Sequence, residues 1–203
     1  MTGIDQGGHS EITCERSRFI GLVFPIMSLE DVRSIKRKLK QDYYDASHIP
    51  AAYVIDGQTH LDDDGEPQGT AGAPLGILLR QANLDLAYLA VVRYFGGRKL
   101  GTKRLREAFR AAGVQALAAA SFGEVVSESE FDIEGPLEEM GIVHRFCMET
   151  GARIVNIHYN KTINATLLAP DYDQDRYRSH LPETWTLGLP TVHRRVVAHS
   201  SKE

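Results

Sequence analysis

Stretches of β-forming residues and stripes of apolar residues at helical spacing follow one another along this chain, and the breaks between them outline its elements. Arg18 to Ile26 is rich in β-formers and predicts a strand. Ser28 with Glu30 and Asp31 then makes a helix start, because a hydroxyl accepts an orphan backbone N–H and early carboxylates suit the positive end of the helix dipole. That helix runs to about Tyr43, with Val32, Ile35, Leu39 and Tyr43 on one face and Arg33, Lys36, Arg37, Lys38 and Lys40 mostly on the others. A second strand is expected at Ala51 to Ile55. Glycine, proline and aspartate punctuate Asp56 to Gly72, which predicts loop or irregular hairpin, and Pro74 suits the first turn of a short helix, Leu75 to Gln81.

Leu86 to Phe95 is nearly continuous in apolar character and predicts a central strand. A long helix follows from Thr102 to Ala120, its buried stripe formed by Leu105, Ala108, Phe109, Ala112 and Ala116, with Lys103, Arg106 and Arg110 opposite. Gly123 marks a domain boundary, giving domains at 1–123 and 124–203. The second domain reads strand (Val125 to Ile133), helix (Pro136 to Thr150), strand (Arg153 to Tyr159), strand (Thr162 to Ala169), helix (Asp171 to Leu181) and strand (Val192 to Val197), with Asn160-Lys161 as a hairpin turn. That βαββαβ order is the signature of a ferredoxin-like domain, so the fold class expected is α+β.

Composition narrows the function classes. The 203 residues carry a net charge of −4, unlike a strongly basic nucleic-acid binder, but the charge is divided. Residues 1–123 sum to +1 and residues 124–203 to −5, so a polyanion should meet the first part and a protein partner the acidic second. Cys14 and Cys147 have no metal spacing, which points to a reducing compartment. The first residues show no export signal, and the longest apolar run, Leu86 to Val92, is far short of the ~20 residues of a membrane span. A cytoplasmic protein is expected.

Candidate chemistry concentrates in two glycine turns. The first is Asp62-Asp63-Asp64-Gly65-Glu66-Pro67-Gln68-Gly69-Thr70-Ala71-Gly72-Ala73-Pro74; the second is Arg93-Tyr94-Phe95-Gly96-Gly97-Arg98-Lys99-Leu100-Gly101-Thr102. Two such turns, each joining a buried element to a helix, usually share one rim of a sheet. The carboxylates Asp62, Asp63, Asp64 and Glu66 either hold a hard cation or accept backbone N–H groups and pair with Arg93 or Arg98; local bonding is the commoner use of turn aspartates. Gly69, Thr70 and Gly72 open one helix and Gly96 and Gly97 precede another. Either turn can seat a phosphate, or its glycines simply supply positive φ angles. Six of the thirteen residues from Arg98 to Arg110 are basic (Arg98, Lys99, Lys103, Arg104, Arg106, Arg110), the footprint of phosphate contacts, and Tyr94 and Phe95 beside them can stack on bases. For catalysis the chain offers little beyond His48, which can pair with an aspartate, and Ser47 or Thr70 as a nucleophile; no nucleophile elbow, H-E-x-x-H helix or CxxC pair occurs. No catalytic residue, metal ligand or cofactor is assigned.

Asp63 to Pro74 and Val92 to Gly101 resemble the two signature motifs of the IMPACT family, and Ser17-Arg18-Phe19-Ile20, Ala46-Ser47-His48 and Ala52-Tyr53 resemble its earlier landmarks. The resemblance implies an N-terminal ribosomal-protein-S5-domain-2-like α/β domain, a fold also seen in domain IV of the translocating elongation factor, followed by a ferredoxin-like domain. Eukaryotic members regulate translation by displacing a stress kinase from its ribosome-bound activator through an added N-terminal domain. Here Phe19 already begins the core, so the kinase role is not expected to transfer. For this architecture the family implies RNA or ribosome binding. Where the family continues the second motif with two more glycines and a leucine, this chain has Lys103-Arg104-Leu105, which starts the helix sooner and adds charge. The reading is therefore a non-enzymatic, cytosolic, translation-related regulator with a role in the stress response. Two alternatives stand beside it: a metal-assisted hydrolase or phosphoryl-transfer enzyme using Asp63, Asp64, Glu66 and His48, and a protein-binding adaptor.

Overall fold

The computed structural model describes residues 1–170 and 172–198. They fall into two compact units, one of Met1–Val125 with the described residues from Val196 onward, the other of Val126–Arg195.

The first unit is built on a five-stranded antiparallel sheet of β2 (Gly8–Cys14), β3 (Ser17–Pro25), β4 (Ala51–Ile55), β5 (Gln58–Asp62) and β6 (Ala87–Tyr94), in the order β2-β3-β6-β4-β5. As the apolar run predicts, β6 is central, although both its neighbours are antiparallel to it. Its period-2 alternation sends Ala87, Leu89 and Val91 to one face and Tyr88, Ala90 and Val92 to the other. The first face packs under α2 (Gly72–Gln81) and α3 (Gly101–Ala118); the second packs under α1 (Leu29–Asp42). The predicted stripe Leu105, Ala108, Phe109, Ala112 and Ala116 is buried as expected, with Phe109 edge-on to Phe19 at 5.2 Å between ring centres. The helix lies close on the sheet: Ser10 Oγ donates to the Ala112 carbonyl at 2.8 Å, and at Gly21 a Cβ would strike that same carbonyl. Two short strands near the N-terminus, β1 (Thr2–Gln6) and β2, fall in a stretch for which the apolar pattern predicts no element.

Three boundaries differ from the sequence reading. The segment after β4 is a regular hairpin before it is a loop: Asp56 and Gly57 both take positive φ, 54° and 71°, and β5 pairs residue for residue with β4. Asp-Gly is a strong hairpin signal that the density of glycine and proline downstream conceals. Next, α2 starts at Gly72, two residues before Pro74, for a reason that lies in the acidic loop. Last, β7 (Ser121–Pro136), which runs from the first unit into the second, persists to Pro136, and a 3-10 turn at Leu137–Glu139 delays α4 to Gly141–Thr150. Gly135 lies against the Trp185 indole, so the strand is kept extended by packing rather than by propensity.

At α1 the expected start is present as a reciprocal capping box. Ser28 Oγ accepts the Asp31 N–H at 3.2 Å, and the Asp31 carboxylate accepts the Met27 and Ser28 N–H groups at 2.7 and 2.9 Å. The Met27 N–H foremost holds the Asp31 carboxyl below its ordinary value. Ser28→Ala is expected to lower the stability of this unit by about 1 kcal/mol, read as a shift in urea midpoint at constant slope.

In the second unit β7 is flanked by β9 (Thr162–Pro170), which pairs in turn with β8 (Arg153–Tyr159); β10 (Thr186–Leu187) and β11 (Thr191–Ala198) pair with β7. Helices α4 and α5 (Gln174–Ser179) contribute Val143, Phe146 and Tyr177 to a core with Phe131, Ile133, Ile163, Leu167 and Trp185. The expected start of α5 at Asp171 lies outside the described residues; Asp173 caps the helix, accepting the Arg176 N–H at 3.0 Å. No described helix is long and apolar enough to cross a membrane.

Candidate functional site

The acidic loop leaves β5 and is consumed by its own surroundings. Asp63 accepts three backbone N–H groups, from Gly69 at 2.7 Å, Ala71 at 3.1 Å and Gly72 at 2.8 Å. One carboxylate thus closes the loop and caps α2 together, which is why the helix begins before Pro74. Of the two readings of this turn, a phosphate seat or a turn whose aspartates accept backbone N–H groups, these contacts match the second: an internal anion already occupies that helix end. Thr70 is buried and donates its hydroxyl to the Pro67 carbonyl at 2.6 Å, so it is no nucleophile.

The other carboxylates are neutralised by cations from elsewhere in the fold. Asp62 pairs with Lys36 at 2.5 Å and accepts the Asp64 N–H at 2.9 Å. Partial burial pushes the Asp62 carboxyl up, but the Lys36 bond and the Asp64 N–H outweigh it and hold it below the usual range. The same bond raises the Lys36 ammonium. Asp64 accepts the Ile49 N–H at 2.8 Å and lies 3.6 Å from Lys40. Lys36 and Lys40, one turn apart on α1, are legible in the sequence as a pair of cations but carry no sign of where they point. The carboxylates therefore face separate partners instead of converging on one point.

Glu66 makes the deepest pairing. Both its oxygens accept from Arg93 Nη1, at 2.6 and 2.7 Å, with Glu66 6% and Arg93 7% exposed. Strand alternation dictates this: Arg93 follows Ala87, Leu89 and Val91 on the face covered by α2 and α3, so its charge is carried into the core edge and needs a counter-charge there. The segment Ser47-His48 continues the sheet beside it, with the Arg93 N–H donating to the His48 carbonyl at 2.8 Å. His48 Nδ1 lies 2.7 Å from the Asp64 carbonyl, which can only accept, so Nδ1 carries a proton and Nε2 is the acceptor whenever the ring is neutral.

The two glycine turns do meet. A cavity of about 360 Å³ is lined by Glu66 and Pro67 from the first turn, by Arg93, Phe95, Lys99 and Thr102 from the second, and by His48. Gly96 packs on the Arg16 backbone, and its N–H donates to Ser17 Oγ at 3.1 Å; Gly97 and Gly101 take φ of 82° and 75°, which redirects the chain into α3.

Beyond the cavity the basic residues divide into two groups. Arg98 and Arg104 both pair with Glu15, at 2.8 and 2.6 Å, so the expected partner of Arg98 in the acidic loop is corrected to a residue of the β2–β3 turn. Nothing in the local sequence marks Glu15. Lys99, Lys103, Arg106 and Arg110 are exposed and form no ion pair among the described residues. Lys103, Arg106 and Arg110 stand at i, i+3 and i+7, one stripe of α3. Arg106 and Arg110 border a second cavity, about 510 Å³, whose other walls include Gly69, Ala73, Pro74 and Ile77. Of the two aromatics, Tyr94 is engaged: its hydroxyl donates to Asp45 at 3.0 Å and Arg18 covers its ring at 4.7 Å. Burial, then the Asp45 carboxylate, raises its phenol. Phe95 is 48% exposed and keeps a face for stacking.

Residues 15–117 match the family model described as the Impact N-terminal domain. IMPACT family member YvyE of Bacillus subtilis is 37% identical over 109 residues, 52% of this chain and 50% of its own length, so that match spans about half of the relative. An IMPACT family member of Haemophilus influenzae is 30% identical over 174 residues, 83% of this chain and 84% of its own. A crystal structure described as a hypothetical protein superposes with a TM-score of 0.71 at 22% identity, covering 92% of this chain and 95% of that one.

Proposed function

Since the chain belongs to the IMPACT family, we propose that it is a non-enzymatic, translation-related regulator that binds structured RNA, free or in the ribosome, through the exposed face of α3. The observation that carries this reading is the exposed stripe of Lys103, Arg106 and Arg110, continued by Lys99 at the helix entrance, all without an ion pair among the described residues. Exposed cations without partners are ready to displace counterions from a phosphate backbone. Neutralisation of the acidic loop by Lys36, Lys40, Arg93 and backbone N–H groups removes the repulsion that its four carboxylates would otherwise exert on such a ligand. Phe95 is the stacking residue in this reading; Arg98 and Arg104 contribute only by exchanging Glu15 for phosphate.

The same reading takes the first unit as ribosomal-protein-S5-domain-2-like and the second as ferredoxin-like. Helices on both faces of the first sheet support the one, and the strand order β11-β7-β9-β8 supports the other. In this reading the second domain's acidic surface faces a protein. A cytosolic location goes with this role. The metal-assisted enzyme draws no support from a loop whose carboxylates each serve a different backbone or cationic partner.

Reversing Lys103, Arg106 and Arg110 to Glu is expected to weaken binding to a structured RNA about 30- to 100-fold at low salt, and to flatten the dependence of log affinity on log salt by roughly 2 to 3. All three side chains are exposed, so thermal stability should stay within a few degrees of the parent. Unchanged affinity and salt slope in a filter-binding titration would exclude this face.

A further inference from the structure

We infer that the groove between α2 and α3 seats an unpaired guanine base of the RNA, turned out of its stack, while Arg106 and Arg110 hold the phosphates beside it. This rests on the reading of α3 as the RNA-binding face and names the element of RNA which that face takes. The groove has a volume of about 510 Å³, within the range of sites that take a small organic molecule. Its inner side is closed, because α2 and α3 are in close contact at Gly113, where a Cβ would stand 2.8 Å from the Leu78 side chain. The walls are apolar between charged rims: Pro74 and Ile77 on α2, and the aliphatic stems of Arg106 and Arg110 on α3. Ile77 is 42% exposed beside the two arginines. Contacts to phosphates alone need only the cations; an apolar hollow between them suits a planar group with apolar faces. A nucleobase is such a group, and a guanidinium plane stacks on it.

The charges around the groove select the ligand. Arg106 and Arg110 are one turn apart, about 6 Å along the helix axis, and both are long enough to reach phosphates on either side of a base held between them. Glu107 lines the same groove and forms no hydrogen bond or ion pair among the described residues. A carboxylate on a phosphate-binding helix repels the backbone it serves unless the ligand also brings it a donor. Unpaired bases are read on their Watson–Crick edges, where a carboxylate accepts from ring and amino N–H groups. Guanine presents two such donors side by side, N1–H and the N2 amino group, which match the two oxygens of Glu107. Adenine and cytosine set a ring acceptor beside their amino group, and uracil flanks its N3–H with two carbonyls, so each turns an acceptor toward the carboxylate. An acidic peptide would satisfy the arginines but bring its own carboxylates to Glu107. A nucleotide carries the anion and the N–H donors in one unit, and the observations favour it. In a duplex the same guanine edge is already paired, so the element bound is a bulge, a loop or a single strand.

RNA hairpins with the same stem, one fully paired and the others carrying a single bulged G, A, C or U, test the site when titrated with the full chain at one salt concentration and followed by fluorescence anisotropy. The bulged-G hairpin is expected to bind about 10-fold more tightly than the paired one, and about 5- to 10-fold more tightly than the bulged-U hairpin. Glu107→Gln should bring the four bulged hairpins within about 2-fold of one another without weakening the paired one, a change in ratio that loss of the fold would not produce. Ile77→Gln alters an exposed helix position; it should cut the advantage of every bulge over the paired stem to about 2-fold with the melting temperature unchanged. Equal binding of bulged and paired hairpins, or a guanine preference that survives Glu107→Gln, overturns the inference. So does a peptide of alternating Glu and Leu that displaces the bulged-G hairpin and gains affinity in Glu107→Gln, because the groove would then belong to a protein. The charge reversals at Lys103, Arg106 and Arg110 test the RNA-binding face separately, on the paired hairpin. If they weaken its binding while the bulge makes no difference, that face stands and only the base site falls; if they leave every hairpin unchanged, both fall.

Discussion

Replacing Glu66 by Ala is expected to cost the first unit about 3–5 kcal/mol, a large part of the 5–15 kcal/mol that typically holds a domain folded. The loss comes from Arg93. Its guanidinium lies at the core edge between Phe19 and Phe95, 5.6 and 5.7 Å from their ring centres, and Glu66 supplies the only counter-charge within reach among the described residues. Removing the carboxylate leaves a cation that strand alternation prevents from turning to water. Glu66→Gln, which keeps an acceptor but not the charge, should lose about half as much. The double variant Glu66→Leu, Arg93→Met should recover most of the stability, since an apolar pair of similar volume avoids desolvating two ions. Trp185, the single tryptophan, belongs to the second unit, so its fluorescence does not report this change. Amide exchange in the centre of β6 does, and protection there unchanged in Glu66→Ala would show that the pair contributes little.

Asp63→Ala should be nearly as damaging, about 3 kcal/mol, because one carboxylate satisfies three N–H groups and two of them belong to the buried residues Ala71 and Gly72. An ordinary helix cap is worth about 1 kcal/mol; the excess reflects donors that solvent cannot reach. The loss should be concentrated in the loop and the first turn of α2, with faster amide exchange at Gly69, Ala71 and Gly72 than in α3. Asp63→Asn retains an acceptor and should lose roughly half as much. A uniform loosening of the whole unit in Asp63→Ala would argue against a local capping role. Added phosphate offers a further check: if it restores protection at those three amides in Asp63→Ala, the helix end is anion-competent and Asp63 is what normally occupies it.

Much of the fold was legible because its signals are local. The capping residues of α1, the buried stripe of α3 and the continuous apolar run of β6 each lie within one element, and the physics that reads them needs only neighbours along the chain. The exposed stripe Lys103, Arg106 and Arg110 follows from the same helical period. What the amino-acid order left open was the choice among equivalent partners. It showed carboxylates and cations but could not say that Glu66, rather than Asp62 or Asp64, would take Arg93, or that Glu15 would take Arg98 and Arg104 from far along the chain. Nor could it tell two glycine-rich helix entrances apart. Asp63 folds back onto α2, and among the described residues no side chain caps α3. Local periodicity decides what is buried; only packing brings together charges distant in sequence, and it alone leaves one helix end filled and the other open.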